Sequence, residues 1–198
     1  MDTSFAILRN RTASTAEFRR AADAVCGHLM RAMKEDLTKK GIDEKDIVVV
    51  IILRAALAFL GTVTQVFPNA PVGVLGMKRD EQTLEPYWYY ENLPPVSANN
   101  TIVIADPMLA TGGSVEAAVE RLKVRGANTS NIYFVGVIAA PDGVARLSTL
   151  IPKENMILGA IDDGLDEHGM IVPGLGDFGD RYFGHGGQAI IGAGGIAR

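Results

Sequence analysis

Runs of consecutive apolar residues, rich in Val and Ile, recur along the chain and alternate with stretches of helical periodicity. The clearest run is Ile47–Leu53, with the sequence IVVVIIL. A strand that is apolar on both sides must be covered on both sides, which is typical of a parallel sheet between two layers of helices. The sequence therefore predicts an α/β fold with a Rossmann-like, mostly parallel sheet and helices on both faces. The predicted strands are Ile47–Leu53, Val72–Met77, Thr101–Ala105, Ile132–Ala139 and Met156–Ala160, and helices are predicted near Ala55–Val66, Ser114–Val124 and Asp142–Leu150.

A long N-terminal helix is predicted before the first strand. Ser14 and Glu17 have the spacing of a capping box, in which each side chain accepts a hydrogen bond from the backbone N–H of the other residue. Apolar residues then recur at steps of three and four until Gly41, which predicts one buried stripe and a helix end. The stripe comprises Phe18, Ala22, Val25, Leu29, Met33 and Leu37.

The length allows one substantial core. A chain of 198 residues with 47% hydrophobic residues is short for two full domains, so we expect a single domain over residues 1–198. Its expected parts are an N-terminal helical segment (1–46), an α/β core (47–160) and a glycine-rich tail (161–198). The net charge of −4 provides no basic field that would attract nucleic acid.

The expected location is the cytoplasm. The first residues show no basic region followed by an apolar core, so no secretory signal is expected. Cys26 is the single cysteine, cannot form an internal disulfide, and falls in the predicted N-terminal helix as a buried structural thiol. The apolar stretch 47–67 contains Arg54 near its middle, where a charge opposes membrane insertion by about 2.5–3.5 kcal/mol. A strand followed by a helix is therefore expected there, with no membrane span.

Two arginines follow predicted strands. Arg54 comes directly after the first strand, at the edge where open α/β sheets bind ligands. Arg79 comes similarly after the second strand, although such an arginine alone is more often a solvated loop charge. Two arginines together with a divalent ion could neutralise an anionic ligand at this edge.

The segment Ile102–Ser114, IVIADPMLATGGS, has the pattern of a buried strand, a sharp turn and the start of a helix. Backbone N–H groups at a helix start lack intrahelical partners and can point together at an anion, which Gly112 and Gly113 allow to approach closely. Asp106 could hold ribose hydroxyls or a magnesium ion. The pattern indicates a phosphate site, although an ordinary strand-to-helix connection capped by Ser114 stays open. It lacks the Gly-Lys-Ser/Thr ending of a Walker loop.

The tail after Ile161 contains two strings with dinucleotide-fingerprint spacing, GLGDFG (174–179) and GAGGIA (192–197). The first follows a proline and is expected to open no helix, and the second ends with the chain. Neither is expected to bind a dinucleotide, because the fingerprint has meaning only inside a βαβ unit. An acidic cluster in the same tail fits neither a calcium loop nor a zinc site and is expected to be a solvated loop. It comprises Asp162, Asp163, Asp166, Glu167 and His168.

Five segments together resemble the uracil phosphoribosyltransferases, and they occur in that family's order. They are ILRAAL, MKRDEQTLEP, ADPMLATGGS, AAPDGVARL and IDDGLDEHGMIVPGLGDFGDRYFG. The lone Asp106 before Pro107 resembles the uracil-specific branch, whereas most type I phosphoribosyltransferases carry two adjacent acids. The resemblance implies the type I phosphoribosyltransferase fold and transfer of the 5-phosphoribosyl group from 5-phosphoribosyl-1-pyrophosphate (PRPP) to uracil, giving uridine monophosphate (UMP) and pyrophosphate. It also implies Mg²⁺, bound mainly through PRPP or pyrophosphate, and a homodimer or higher homo-oligomer.

The resemblance further implies residue roles, with no side-chain metal ligand expected. Arg54 and Arg79 would face the pyrophosphate of PRPP, while Asp106 holds the ribose and Asp177 touches both PRPP and uracil. These four residues form the expected catalytic set. The expected PRPP contacts are Arg54, Arg79, Asp106, Pro107, Met108, Leu109, Ala110, Thr111, Gly112, Gly113, Ser114 and Asp177, and the expected uracil contacts are Ile171, Gly176, Asp177 and Phe178.

Some parts of the chain depart from the family pattern. Ala56 stands where the family usually has glycine after Leu-Arg-Ala, and the connection 39–46 is shorter than usual. A catalytically weak homologue that binds uracil, its nucleotide or PRPP as a sensor is therefore an alternative, as is an enzyme for another base. The irregular segment Lys78–Pro94, with its aromatic run Tyr87–Tyr90, is expected to be a hairpin, lid or subunit contact.

Overall fold

The computed structural model describes residues 2–79 and 86–185. Each predicted strand and helix is present, with ends within three residues of the predicted ones. In chain order the elements are α1 (Asp2–Arg9), α2 (Thr15–Lys39), β1 (Ile47–Leu53), α3 (Leu57–Val66), β2 (Val72–Arg79), β3 (Pro86–Asn92), β4 (Thr101–Ala105), β5 (Met108–Leu109), α4 (Gly113–Val124), β6 (Ile132–Ala139), α5 (Pro141–Leu147), β7 (Met156–Ile161), β8 (Gly164–Leu165), β9 (Ile171–Val172) and α6 (Phe178–Phe183).

One mostly parallel sheet organises the fold. The central strand β1 pairs in parallel with β2 on one side and with β4 on the other. Strand β6 pairs in parallel with β4 and β5 along one edge and with β7 along the other. β3 returns antiparallel beside β2 and forms the outer edge. The predicted α/β architecture is confirmed.

Both faces of the sheet are covered by helices. Alternate side chains of a strand point to opposite faces. Val49 and Ile51 of β1 belong to the core that contains the apolar residues of α2 and α3. Val48 and Val50 belong to a second core, formed with α4 and α5. All four side chains are at most 2% exposed, which explains why β1 reads as an unbroken apolar run.

Helix α2 follows the predicted pattern. Its N-terminus has the capping box: Ser14 Oγ accepts from Glu17 N at 3.3 Å, and Glu17 Oε2 accepts from Ser14 N at 2.8 Å. All six stripe residues are buried, and the chain leaves the helix through Gly41 with φ +74°. Cys26 is also fully buried, and burial raises the pKa of its thiol, so the thiolate is disfavoured at neutral pH. The prediction of a structural thiol is confirmed.

The N-terminal helix α1 and the edge hairpin complete the described fold. The sequence patterns gave no indication of α1, which packs along α2. The predicted hairpin is present as β2 and β3, and residues 80–85 between them lie outside the described residues. Within the described ranges, no helix is long and apolar enough to span a membrane.

One alternative that the sequence left open and one expectation are wrong. Helix α4 begins at Gly113 with Gly112 as its N-cap, so Ser114 lies in the first turn and is not the cap. The string 174–179 follows the short strand β9 and does open a helix, α6. It still lacks a βαβ context, because β9 pairs antiparallel with β8 in a separate two-stranded sheet. The string 192–197 lies outside the described residues.

Candidate functional site

The carboxyl ends of β1 and β4 open onto one cavity. Because the two strands are parallel neighbours, Arg54 and Asp106, which follow them, come to the same edge of the sheet. The cavity measures about 290 Å³. Seven of the residues predicted from the sequence line it: Arg54, Asp106, Met108, Ala110, Ser114, Asp177 and Phe178. Met77 and Met170, which the sequence patterns did not single out, line it as well.

Asp106 is a buried carboxyl group at the floor of this cavity. It is 8% exposed, and burial raises its pKa to about 7, partly opposed by a hydrogen bond that Oδ1 accepts from Met108 N at 3.4 Å. A carboxyl group with this pKa is partly protonated at neutral pH. A ligand that donates hydroxyl hydrogen bonds to it stabilises the ionised form.

The turn 110–113 leads from β5 into the N-terminus of α4. Gly112 has φ +77°, and a Cβ atom there would lie 3.3 Å from the Gly143 carbonyl oxygen of α5. Arg146 of α5 supports the turn from behind: its Nη1 donates to Thr111 O at 3.4 Å, and its Nη2 pairs with Glu116 at 2.5 Å. The helix start and its dipole favour an anion at this turn. The supporting role of Arg146 was not foreseen from the sequence.

Arg54 reaches across the mouth of the cavity towards α6. Its Nη2 lies 3.5 Å from Asp180 Oδ1, and its guanidinium lies 5.9 Å from the centroid of the Phe183 ring. The side chain is 56% exposed, so it is accessible to an anionic ligand. Arg79 ends β2, and its side chain lies outside the described residues.

Three of the four residues predicted to bind uracil lie at the start of α6 and just before it, and Ile171 lies earlier, in β9. Asp177 is the N-cap of α6, accepting from Asp180 N at 2.7 Å, and it lines the cavity beside Phe178. Ile171 is 4% exposed with its side chain in the core, and Gly176 has φ +83°. Both lie outside the described lining of the cavity.

The acidic cluster of the tail is only partly exposed to solvent, whereas the sequence predicted a solvated loop. Asp162 is buried, and Arg9 of α1 donates to both of its carboxylate oxygens, at 2.6 and 2.8 Å. These hydrogen bonds are the main reason why the pKa of Asp162 is lowered. Asp166 instead shapes a turn, accepting from the backbone N of His168 and of Met170. In the described part of the chain, no three His, Cys, Asp or Glu side chains form a group that could hold a metal ion.

Comparisons with known proteins agree on one family. The family model described as uracil phosphoribosyltransferase matches residues 30–185. A uracil phosphoribosyltransferase from Lactococcus lactis subsp. cremoris is 43% identical over 192 residues, covering 90% of this chain and 91% of the relative. One from Agathobacter rectalis is 50% identical over 147 residues, covering 74% of this chain and 69% of the relative.

Solved structures extend the likeness to the fold. The AQ2163 protein from Aquifex aeolicus superimposes with a TM-score of 0.80 at 35% identity, covering 92% of this chain and 93% of that protein. A hypoxanthine phosphoribosyltransferase from Staphylococcus aureus has a TM-score of 0.52 at 16% identity, over 79% of this chain and 86% of that one, and shares the fold alone. The type I phosphoribosyltransferase fold is thus confirmed. With a family model that matches most of its residues, the chain belongs to the uracil phosphoribosyltransferase family.

Proposed function

We propose that the protein transfers the 5-phosphoribosyl group from PRPP to uracil, forming UMP and pyrophosphate. One observation carries the proposal: the cavity at the carboxyl edge of the sheet is lined by Arg54, Asp106, Ser114 and Asp177 together, in a chain of this family. No observation favours the alternative of a sensor without turnover.

PRPP is proposed to lie along the cavity with its 5-phosphate at the turn before α4. The N-terminal N–H groups of α4 and the left-handed Gly112 make this turn suitable for a phosphate. The ribose then reaches Asp106, whose carboxylate accepts hydrogen bonds from its hydroxyls. The pyrophosphate points towards Arg54, with Arg79 assigned to the same end on the family resemblance alone.

The chemistry requires charge stabilisation and alignment more than proton transfer by a side chain. As the bond from the anomeric carbon to pyrophosphate breaks, positive charge develops on the ribose and negative charge on the leaving group. The carboxylate of Asp106 lies on the ribose side, and Arg54 can exchange its contact with Asp180 for the leaving group. The ring nitrogen of uracil then bonds to the anomeric carbon from the side of Asp177 and Phe178, and its proton passes to the departing pyrophosphate or to water.

Uracil is proposed to be recognised largely by backbone groups of the turn 174–178. A small, flat base offers a donor and acceptor edge that peptide N–H and C=O groups can pair. Glycines in this turn let the main chain approach closely, and a base with the wrong edge, such as cytosine, would leave buried groups unpaired.

The residues of the cavity fit a magnesium ion that is held mainly by the substrate. Mg²⁺ commonly binds one or two carboxylates together with substrate phosphates, and Asp106 and Asp177 line the same cavity. When bound, the ion would neutralise charge on the diphosphate. We expect the phosphates of PRPP or pyrophosphate to supply most of its ligands.

A homo-oligomer belongs to the proposal as well. Tyr87, Tyr89 and Tyr90 on the edge strand β3 are 44–48% exposed. Exposed aromatic rings on one edge are enriched where proteins meet a partner, which supports the expected subunit contact.

The proposed function is tested by turnover with alternative bases. Purified protein given PRPP, Mg²⁺ and uracil should release pyrophosphate and form UMP, whereas cytosine, hypoxanthine and orotate should give little product. Binding of uracil or PRPP by calorimetry without any pyrophosphate release would favour the sensor. Preferred turnover of another base would contradict the assignment of uracil.

The Ala56→Gly variant is expected to leave activity within about twofold of wild type. Ala56 has φ −69° and ψ −6°, an ordinary conformation for alanine, and its methyl group is fully buried in the core. It therefore does not crowd the site. The variant should instead lose about 1 kcal/mol of stability, because glycine loses more backbone entropy on folding. Steady-state kinetics and urea unfolding check both expectations, and a tenfold gain in kcat/KM would contradict them.

A further inference from the structure

The peptide groups of Gly174 are held from both sides by one ion pair. Arg9 Nη1 donates to Gly174 O at 3.1 Å, and Gly174 N donates to Asp162 Oδ2 at 2.7 Å. Arg9 and Asp162 are themselves joined by two hydrogen bonds. The Asp162 side chain is 4% exposed, so this carboxylate has little access to water. Bidentate pairing of this kind fixes geometry as well as charge.

The ion pair is anchored to the sheet at the edge that carries the cavity. Asp162 follows β7 directly, and its backbone N donates to Ala139 O at the end of β6, at 2.9 Å. The carboxylate that holds Gly174 therefore takes its position from the parallel sheet. Arg9, at the end of α1, closes the arrangement from the other side.

A second arginine ties the next residues to the same N-terminal segment. Arg181 of α6 donates to Leu175 O at 2.6 Å and to Asn10 O at 2.6 Å, and it also donates to Leu8 O. Its guanidinium lies 4.2 Å from the centroid of the Phe18 ring. Residues 174–175 are thus held on one side by the end of α1 and on the other by α6.

Such anchoring matters because the segment is intrinsically pliable. Gly174 has φ +61° and Gly176 has φ +83°, and glycine has the widest conformational freedom of all residues. A ligand that is recognised by backbone groups binds more tightly when those groups are already ordered. Otherwise the entropy cost of ordering them reduces the affinity. In a glycine-rich turn, side chains elsewhere have to provide that order.

We propose that Arg9 and Asp162 are positioning residues for base recognition, holding Gly174 so that the free peptide groups that follow it in the turn face uracil. The N-terminal helix α1 then supports the base site through Arg9 without contacting the base. This inference rests on the proposed function, in which uracil binds at that turn. It predicts a defect mainly in uracil binding, since Asp106, Arg54 and the start of α4 do not depend on the ion pair and Asp177 is held separately, as the N-cap of α6.

The test compares uracil and PRPP kinetics in variants of the ion pair. Arg9→Gln and Asp162→Asn are each expected to raise the KM for uracil by about tenfold to hundredfold, because a small displacement of recognition groups has that cost. The KM for PRPP should stay within about twofold. Arg9→Lys should give an intermediate KM for uracil, because an ammonium group can keep the charge but cannot bond both carboxylate oxygens and Gly174 O in the same planar way.

Two matched controls and a stability measurement separate positioning from general damage. Arg20→Gln on the exposed side of α2 and Asp43→Asn in an exposed ion pair should leave both KM values unchanged. If Arg9→Gln melts earlier but keeps the wild-type KM for uracil, or if both KM values rise equally, the inference is overturned. Should Arg9→Gln not fold, the same criteria apply to Arg9→Lys. Wild-type protein that shows no turnover of uracil would overturn the proposed function, whereas an active wild type with unaffected variants overturns the inference alone.

Discussion

The Asp106→Asn variant is expected to lower kcat/KM for PRPP by roughly 10²–10³-fold. In the proposed function, the carboxylate accepts hydrogen bonds from the ribose hydroxyls and stabilises positive charge that develops on the ribose. Asparagine has nearly the same shape but no charge, and its NH₂ group can only donate. Asp163→Asn in the exposed tail loop is the matched control and should retain full activity. Near-normal kcat/KM in Asp106→Asn would remove Asp106 from the catalytic set.

The same substitution is expected to stabilise the protein at alkaline pH. Burial raises the pKa of Asp106 from 3.8 to about 7, so the folded state binds the proton more tightly than the unfolded state. The stability that comes with the protonated group is complete below pH 4 and is lost as the pH rises towards 7. The increase in the free energy of unfolding caused by Asp106→Asn should therefore be about 1–3 kcal/mol at pH 8 and should shrink towards pH 4. Urea unfolding at several pH values measures it, and an equal effect at all pH values would contradict the burial argument.

The pKa of Asp106 also predicts how PRPP binding varies with pH. Ribose hydroxyls favour the ionised carboxylate, so the affinity of the wild type for PRPP should rise between pH 6 and pH 8. The phosphates of PRPP titrate in the same range and also change the affinity. The Asp106→Asn variant serves as the reference, because it binds the same substrate but lacks the carboxyl group. Calorimetry measures the PRPP affinity of both proteins against pH, and the difference between the two profiles is due to the Asp106 carboxyl group.

The Gly112→Ala variant is expected to raise the KM for PRPP by about 10²-fold. Gly112 has φ +77°, which disfavours alanine, and the new Cβ would press against Gly143 O and the Arg146 side chain at 3.3 Å. The turn must then shift between α4 and α5, which moves the backbone groups proposed to bind the 5-phosphate.

Gly41→Ala is a close control for this prediction. Gly41 has φ +74°, and a Cβ atom there would meet nothing within 4 Å. The Gly41→Ala variant should have the same conformational penalty as Gly112→Ala, about 1–2 kcal/mol, without any effect on kinetics. Urea unfolding should therefore show a loss of stability in both variants, and PRPP kinetics should separate them. If Gly112→Ala and Gly41→Ala have the same KM for PRPP, the phosphate is not bound at this turn.

Local sequence patterns predicted the helices, the strands and many of the residues that line the cavity, because these features depend on residues that are close together in the sequence. The apolar run of β1 indicated a strand buried on both faces, and a parallel sheet brings Arg54 and Asp106 to the same edge. A Ser114 cap of α4 stayed open in the sequence because serine is a common cap, whereas in the structure Gly112 takes that position in a left-handed conformation. Such a conformation depends on the packing of α5 behind the turn.

Long-range contacts could not be predicted in the same way. Arg9 and Asp162 are separated by 153 positions, and nothing in either neighbourhood marks them as partners. The acidic residues of the tail look alike in the sequence, yet one is buried in an ion pair and another shapes a turn. The contact of Arg54 with Asp180 likewise arises only when α6 packs against the end of β1.

The sequence by itself determined the α/β architecture, the position of the turn before α4 and the family, because hydrophobic periodicity and short motifs act over a few residues. Only the tertiary structure decided which charges are buried, which side chains face the cavity and how the glycine-rich turn before α6 is held. Those properties depend on desolvation and on contacts between distant segments, and both exist only once the helices have packed against the sheet.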